Sequence, residues 1–214
     1  MLVACVGPIK TPQGIVNLAK SDTAFFVEAV RDELDQSMSL LLVKLYGRNP
    51  VQLQSGVSIE QRIKQLRAPR LNLSEFKSTK PDRLVRLAFN PDFTGDRVFA
   101  FVTGLQSMVN NAFGHRREFL LFDDLPTAQF VYNSARNIEI AAYLLRTQRT
   151  LGGAPYLYAD GIQDEILNAS YSQLMGEMIG LQDALSSALA KKDQRALNRV
   201  ARGVASFVFL PVGF

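Results

Sequence analysis

The chain has 214 residues, 47% hydrophobic and 21% charged, with a net charge of +4. That balance suits one globular domain, and no apolar run reaches the roughly 20 residues of a membrane-spanning helix. A single cysteine and a single histidine rule out an internal disulfide, and they exclude most zinc sites and a Cys–His nucleophile pair unless Cys5 and His115 meet across the fold.

The N-terminus carries the sharpest signal. Leu2-Val3-Ala4-Cys5 reads as a bacterial lipobox, in which a small residue precedes a cysteine that becomes lipid-modified. Only Met1, Leu2, Val3 and Ala4 precede Cys5, fewer than the apolar stretch of about 7–15 residues that a signal peptide needs. The reading therefore implies a start placed too far downstream or a trimmed signal peptide. The bland alternative is a buried cysteine acting as a small hydrophobe. Gly7, Pro8, Pro12 and Gly14 make residues 1–20 suited to a tether, with a globular domain over 21–214.

The first helix is expected from Asp22 to Tyr46, capped by Ser21 or Asp22. Phe26, Val30, Leu34, Leu41 and Leu45 share a core face, with Glu28, Arg31, Asp32 and Asp35 largely on the other. Gly47 fits the position after the helix and Pro50 prevents continuation. Ser58-Ile59-Glu60-Gln61 is a capping-box pattern opening a short helix to Leu66. Pro81 opens another, ending near Phe89, and Asn90-Pro91 breaks the chain. Residues 95–113 read as a buried helix, ended by Gly114. Phe119 to Phe122 is too short to assign as strand or buried turn. Asp124 and Pro126 signal a long helix to Leu151, stopped by Gly152 and Gly153. A loop over 156–161 precedes helices over 170–190 and 193–206, and the apolar run Phe207 to Pro211 is expected to tuck into the core. About seven helices and no alternating strands predict a single all-α, bundle-like domain.

Several residues are candidates for chemistry. Asn90 to Asp96 resembles the opening of a calcium loop, but the twelfth position, a bidentate glutamate in such loops, is Phe101. The alternative there is a turn with Thr94 or Asp96 near the next helix start. Asn133, Arg136, Asn137 and Glu139 place polar groups mid-helix, which predicts either a ligand site or a hydrogen-bonded network in which Arg136 meets a carboxylate and Asn137 caps another element. Gly176 and Gly180, in a small-xxx-small spacing, predict close helix packing. Lys192, Arg195, Arg199 and Arg202 form a basic stripe, either solvated or facing lipid headgroups. His115-Arg116-Arg117 could hold an anion, or His115 simply partners a helix C-terminus. Asp123-Asp124 and Asp164-Glu165 read as charges at helix N-termini. No phosphate loop, nucleophile elbow or metal motif is present, so no catalytic residue, metal or cofactor is expected. The basic excess without tryptophan or interleaved aromatics argues against nucleic acid as partner, whereas an anionic membrane surface suits it.

Four stretches carry a resemblance: residues 43–50 (VKLYGRNP), 95–100 (GDRVFA), 132–142 (YNSARNIEIAA) and 204–211 (VASFVFLP). On these, the chain resembles a family of uncharacterised proteobacterial lipoproteins and hypothetical proteins. The resemblance implies an envelope location and supplies no catalytic residue. The expectation from the sequence is a non-enzymatic, lipid-anchored envelope module in contact with other envelope proteins. The alternatives are a helical binding protein for a lipid or other apolar ligand and, third, an enzyme using the Arg136/Glu139 region.

Overall fold

A computed structural model describes residues 20–76, 80–120, 123–163, 166–193 and 208–213. Among them the fold is all-α, with six helices and one small β-ribbon. The helices are α1 (Asp22–Arg48), α2 (Ile59–Leu66), α3 (Pro81–Leu87), α4 (Arg97–Ala112), α5 (Ala128–Thr147) and α6 (Ser170–Lys192). Cys5, the proposed tether and the expected helix over 193–206 lie outside the described residues, apart from Asp193, which caps α6.

The helix starts follow from local chemistry. Ser21 accepts from the Ala24 N–H at the head of α1. At α2 both halves of the capping box form: the Gln61 N–H donates to Ser58 Oγ at 3.2 Å and the Ser58 N–H to Gln61 Oε1 at 2.8 Å. Pro81 occupies the first turn of α3. Asp96 caps α4, accepting from the Phe99 N–H at 2.9 Å. α4 ends in a full Schellman turn, with the His115 N–H bonded to the Asn110 carbonyl and the Gly114 N–H to that of Asn111. His115 is left with a φ of 59°, an uncommon left-handed conformation for a residue with a side chain.

α4 is the centre of the molecule. Every residue from Val98 to Asn110 is buried, and α1, α3 and α5 pack around it. α6 lies on α5 and α1. The closest approach is at Gly104, where a Cβ would come within 2.7 Å of the Val85 side chain, 2.8 Å of its backbone nitrogen and 2.9 Å of the Pro81 carbonyl. α3 thus rests its backbone directly on α4. Gly176 and Gly180 of α6 behave oppositely: both are exposed and an added Cβ meets nothing within 4 Å. Among the described residues nothing packs closely on that pair, and both glycines face outward.

Other expectations shift for stated reasons. α1 runs through Gly47 to Arg48 and stops at Asn49, whose side chain bonds back to the Leu45 carbonyl at 2.8 Å. On α1 Phe26 is 42% exposed, whereas Arg31 and Asp35 are buried. The polar face expected of these two is an internal one. α5 starts at Ala128, after Pro126, and stops at Thr147, because residues 149–155 turn back in a bridge between Arg149 and Pro155. The chain after the 156–161 loop forms an antiparallel ribbon of β1 (Gly161–Gln163) and β2 (Ile166–Asn168), with Asp164 and Glu165 outside the described residues. Three-residue strands are too short for alternation to reveal.

Two glycine substitutions separate these packing environments. Gly104→Ala should destabilise by about 1–3 kcal/mol through overpacking against backbone, despite the roughly 1 kcal/mol that alanine gains in a helix. Gly176→Ala should instead stabilise by up to about 1 kcal/mol. Urea-unfolding midpoints of the two variants, moving in opposite directions, check this.

Candidate functional site

The polar cluster of α5 closes on the chain's own C-terminal segment. The Leu210 N–H donates to Asn137 Oδ1 at 2.6 Å, and Asn137 Nδ2 donates back to the Leu210 carbonyl at 2.8 Å. One turn earlier, Asn133 Nδ2 donates to the Pro211 carbonyl at 2.6 Å while its Oδ1 accepts from Gln129. Phe209 packs on the core under the Arg86 guanidinium, 5.1 Å from the ring centroid, and Val212 is buried. Arg136 points the other way, pairing with Asp183 of α6 at 2.7 Å and with Glu139 at 2.9 Å, over the Tyr132 ring. The structure therefore brings Asn133, Arg136, Asn137 and Glu139 into two sets of internal bonds. An active site here would need these groups at an open cleft, yet Asn133, Arg136 and Asn137 are each at least nine-tenths buried. Lys192 is exposed in the last turn of α6; Arg195, Arg199 and Arg202 lie outside the described residues.

The loop from Asn90 to Asp96 holds a cation of its own. The Arg97 guanidinium takes the carbonyls of Ala88 (2.9 Å), Asn90 (2.7 Å) and Phe93 (2.6 Å), and lies over the Phe93 and Tyr156 rings. The carbonyl at the seventh position of such a loop, that of Asp96, accepts from the Ala100 N–H at 3.0 Å as the first bond of α4, and the Asp96 side chain caps the same helix. Among the described residues no group of three or more His, Cys, Asp or Glu could hold a metal ion.

Two buried charge clusters were not visible as motifs. In the first, Arg62 bridges Asp96 (3.2 Å) and Glu75 (2.9 Å) while lying 4.0 Å over the Phe99 ring. The Tyr46 hydroxyl donates to Asp96 at 2.6 Å. Burial pushes the Tyr46 phenol well above its ordinary range, and the bond to Asp96 adds to the effect. Burial also lifts the Asp96 carboxyl above its ordinary value, against the lowering by Tyr46, the Phe99 N–H and Arg62.

The second cluster joins α1 to α4. Asp35 pairs with Arg31 at 3.0 Å and with Arg117 at 2.8 Å, and accepts from Gln106 Nε2 at 2.8 Å. Arg31 is 1% exposed and donates to Asn110 Oδ1, which also accepts from Gln106. Burial lowers the Arg31 guanidinium to about 10, with Asp35 opposing the shift. Arg117 reaches on to the Arg67 carbonyl at 2.8 Å, and Arg67 Nε donates to Ser39 Oγ. The sequence signal was an i, i+4 pair (Arg31, Asp35) facing a second i, i+4 pair (Gln106, Asn110) on an otherwise apolar helix.

Clefts open on this cluster. One of about 420 Å³ is lined by Asp32, Asp35, Gln36, Arg67 and Arg117. A larger one of about 630 Å³ separates the 69–73 segment from the C-terminal half of α4, with Ser107, Asn110, Asn111 and His115 on the helix side. Both lie within or near the size range of small-molecule sites. No family model, curated protein or solved structure matches the chain.

Two outcomes test these assignments. Asn137→Ala should remove both bonds to Leu210, cost about 1–3 kcal/mol, and speed hydrogen exchange of the Leu210 amide at least tenfold, whereas Glu139→Ala should leave that amide unchanged. For Asp96, a carboxyl whose pKa is higher folded than unfolded adds stability that is full in acid and lost as pH rises through the folded value. The stability of the wild type relative to Asp96→Asn should therefore fall as pH rises from about 4, the ordinary aspartate value, toward neutrality. Chemical denaturation across that range reads the slope.

Proposed function

We propose that this protein is a non-catalytic helical module of the bacterial cell envelope, lipid-anchored through Cys5 on the periplasmic side. It acts by contact with the membrane surface and with other envelope components. The observation that carries the reading is the order of parts along the chain. A cysteine follows Leu2-Val3-Ala4, a Pro- and Gly-bearing stretch follows the cysteine, and the helical body begins at Asp22 behind its Ser21 cap. None of the described helices is long and apolar enough to cross a membrane, so an acyl chain on Cys5 would supply the attachment. The resemblance to proteobacterial lipoproteins supports the same location.

Two features of the body fit a surface role. Phe25 and Phe26, 40% and 42% exposed, lie within the first two turns of α1, close to where the tether joins. Lys192 begins the basic stripe that continues in sequence through Arg195, Arg199 and Arg202, suited to anionic headgroups. The α5 cluster, bonded to Leu210, Pro211 and Asp183, serves packing in this reading. A role as a binding protein for an amphipathic ligand is favoured by one observation, the cleft beside Asn110.

The test is intact mass and membrane fractionation of the native gene product beside Cys5→Ser. Mass added by lipidation and membrane association, both lost in Cys5→Ser, are the expected result. An unmodified protein in the soluble fraction in both cases overturns the proposal.

A further inference from the structure

We infer that the cleft between the 69–73 segment and α4 is a binding site for a small amphiphile with an anionic head, carboxylate or phosphate, and a short apolar tail. The inference deepens the binding-protein reading and is independent of whether Cys5 is lipidated.

The argument starts from the orientation of Asn110. Its Oδ1 accepts from Arg31, a residue that can only donate, and from Gln106 Nε2. The amide is therefore fixed with its oxygen toward α1, and its Nδ2, a double donor, makes no hydrogen bond among the described residues. Asn110 is only 6% exposed, and it lines the cleft. That nitrogen opens to the cleft, where its two N–H groups are available to an acceptor. One turn away on the same face, Ser107 is 7% exposed, lines the same cleft, and its hydroxyl has no partner among the described residues. Two nine-tenths-buried polar side chains thus present unused hydrogen-bonding capacity to one open space.

The rim matches this floor. Arg70 and His115 border the cleft, and the side chain of neither forms a hydrogen bond or ion pair among the described residues. The Schellman turn at the end of α4 holds His115 there. No carboxylate lines the cleft among the described residues. Beneath Asn110 sits the Arg31 guanidinium, whose Nε and Nη1 have no hydrogen-bond partner among the described residues. Donors and cations outnumber acceptors throughout, which selects an acceptor-rich anion. Asn111 adds one more amide on the helix side, and the opposite wall is apolar, from Pro69, Leu71 and Leu73. Those side chains suit a short hydrocarbon tail, and a space of about 630 Å³ holds one with its head group.

The experiment uses full-length Cys5→Ser protein, which removes any acyl chain of its own, titrated with octanoate, octyl phosphate, octanol and inorganic phosphate. The readout is NMR shifts of the Asn110 side-chain amide and of the Ser107 and Asn111 backbone amides. Saturable shifts with octanoate or octyl phosphate are expected, identifying the head as carboxylate or phosphate. Octanol and inorganic phosphate should bind at least tenfold more weakly. Arg70→Gln, a substitution at an exposed position, should weaken binding at least tenfold with an unchanged unfolding midpoint. The inference is overturned if neither anion shifts these signals, if octanol or inorganic phosphate binds as tightly, or if Arg70→Gln binds as well as the parent. A failure of lipidation at Cys5 would leave every one of these outcomes unaffected.

Discussion

A helix with no solvent face has nowhere to send its polar side chains, and α4 is such a helix. Thr103, Gln106, Ser107 and Asn110 are all buried on it. Gln106 and Asn110 draw their partners from other elements, while Ser107 and Asn110 also reach the cleft beside the 69–73 segment. α1 answers Gln106 with Asp35 and Asn110 with Arg31, and Arg117, after α4, closes over Asp35. The same helix is capped by Asp96, which in turn anchors Tyr46 and Arg62. Both ends of α4 are thus tied to α1 by charge-assisted bonds. On its remaining side Gly104 lets the α3 backbone rest against it. The bundle is organised around the needs of one buried cylinder.

The loops are fastened by a repeated device. Asn49 bonds both backbone groups of Tyr158, accepting from its N–H at 2.7 Å and donating to its carbonyl at 2.8 Å. Asn137 does the same with Leu210. In each case a side-chain amide imitates a strand neighbour, satisfying a donor and an acceptor that would otherwise be left without partners. Arg97 acts similarly on three carbonyls of one loop. The two asparagines connect positions far apart in sequence and Arg97 pins a loop close to its own, and between them they hold irregular segments that the one short ribbon among the described residues does not reach.

What was legible in the sequence follows from the range of the interaction. Caps are local, and Ser21, Ser58 and Pro81 marked their helix starts directly. The periodicity of α4 and α6 was also local and gave both helices. The two faces of α1 were less legible. Periodicity assigned Arg31 and Asp35 outward because charge usually faces water, but a buried partner helix overrode the preference. Glycine spacing misled for a related reason. Gly176 and Gly180 carried the familiar pattern and face outward, while Gly104, without any pattern, takes the close contact. Whether a glycine is needed depends on the neighbouring element, which spacing does not encode. The polar run at 133–139 announced that partners existed; their identity depended on a segment more than seventy residues away.

The Asn137 clasp has a consequence for how this chain can drift. Its bonds are made to backbone atoms only, so the clasp is blind to which side chain residue 210 carries. Side-chain-to-backbone pairings of this kind constrain one partner and release the other. Position 137 tolerates little beyond asparagine, since the pairing needs a short side chain offering a donor and an acceptor together. The clasp itself asks of position 210 only that it keep its N–H, which excludes proline, while the half-buried Leu210 side chain answers to packing alone. Among descendants of this sequence the tail can vary in composition while the helix that grips it stays fixed, so a comparison restricted to the tail would understate how firmly it is held.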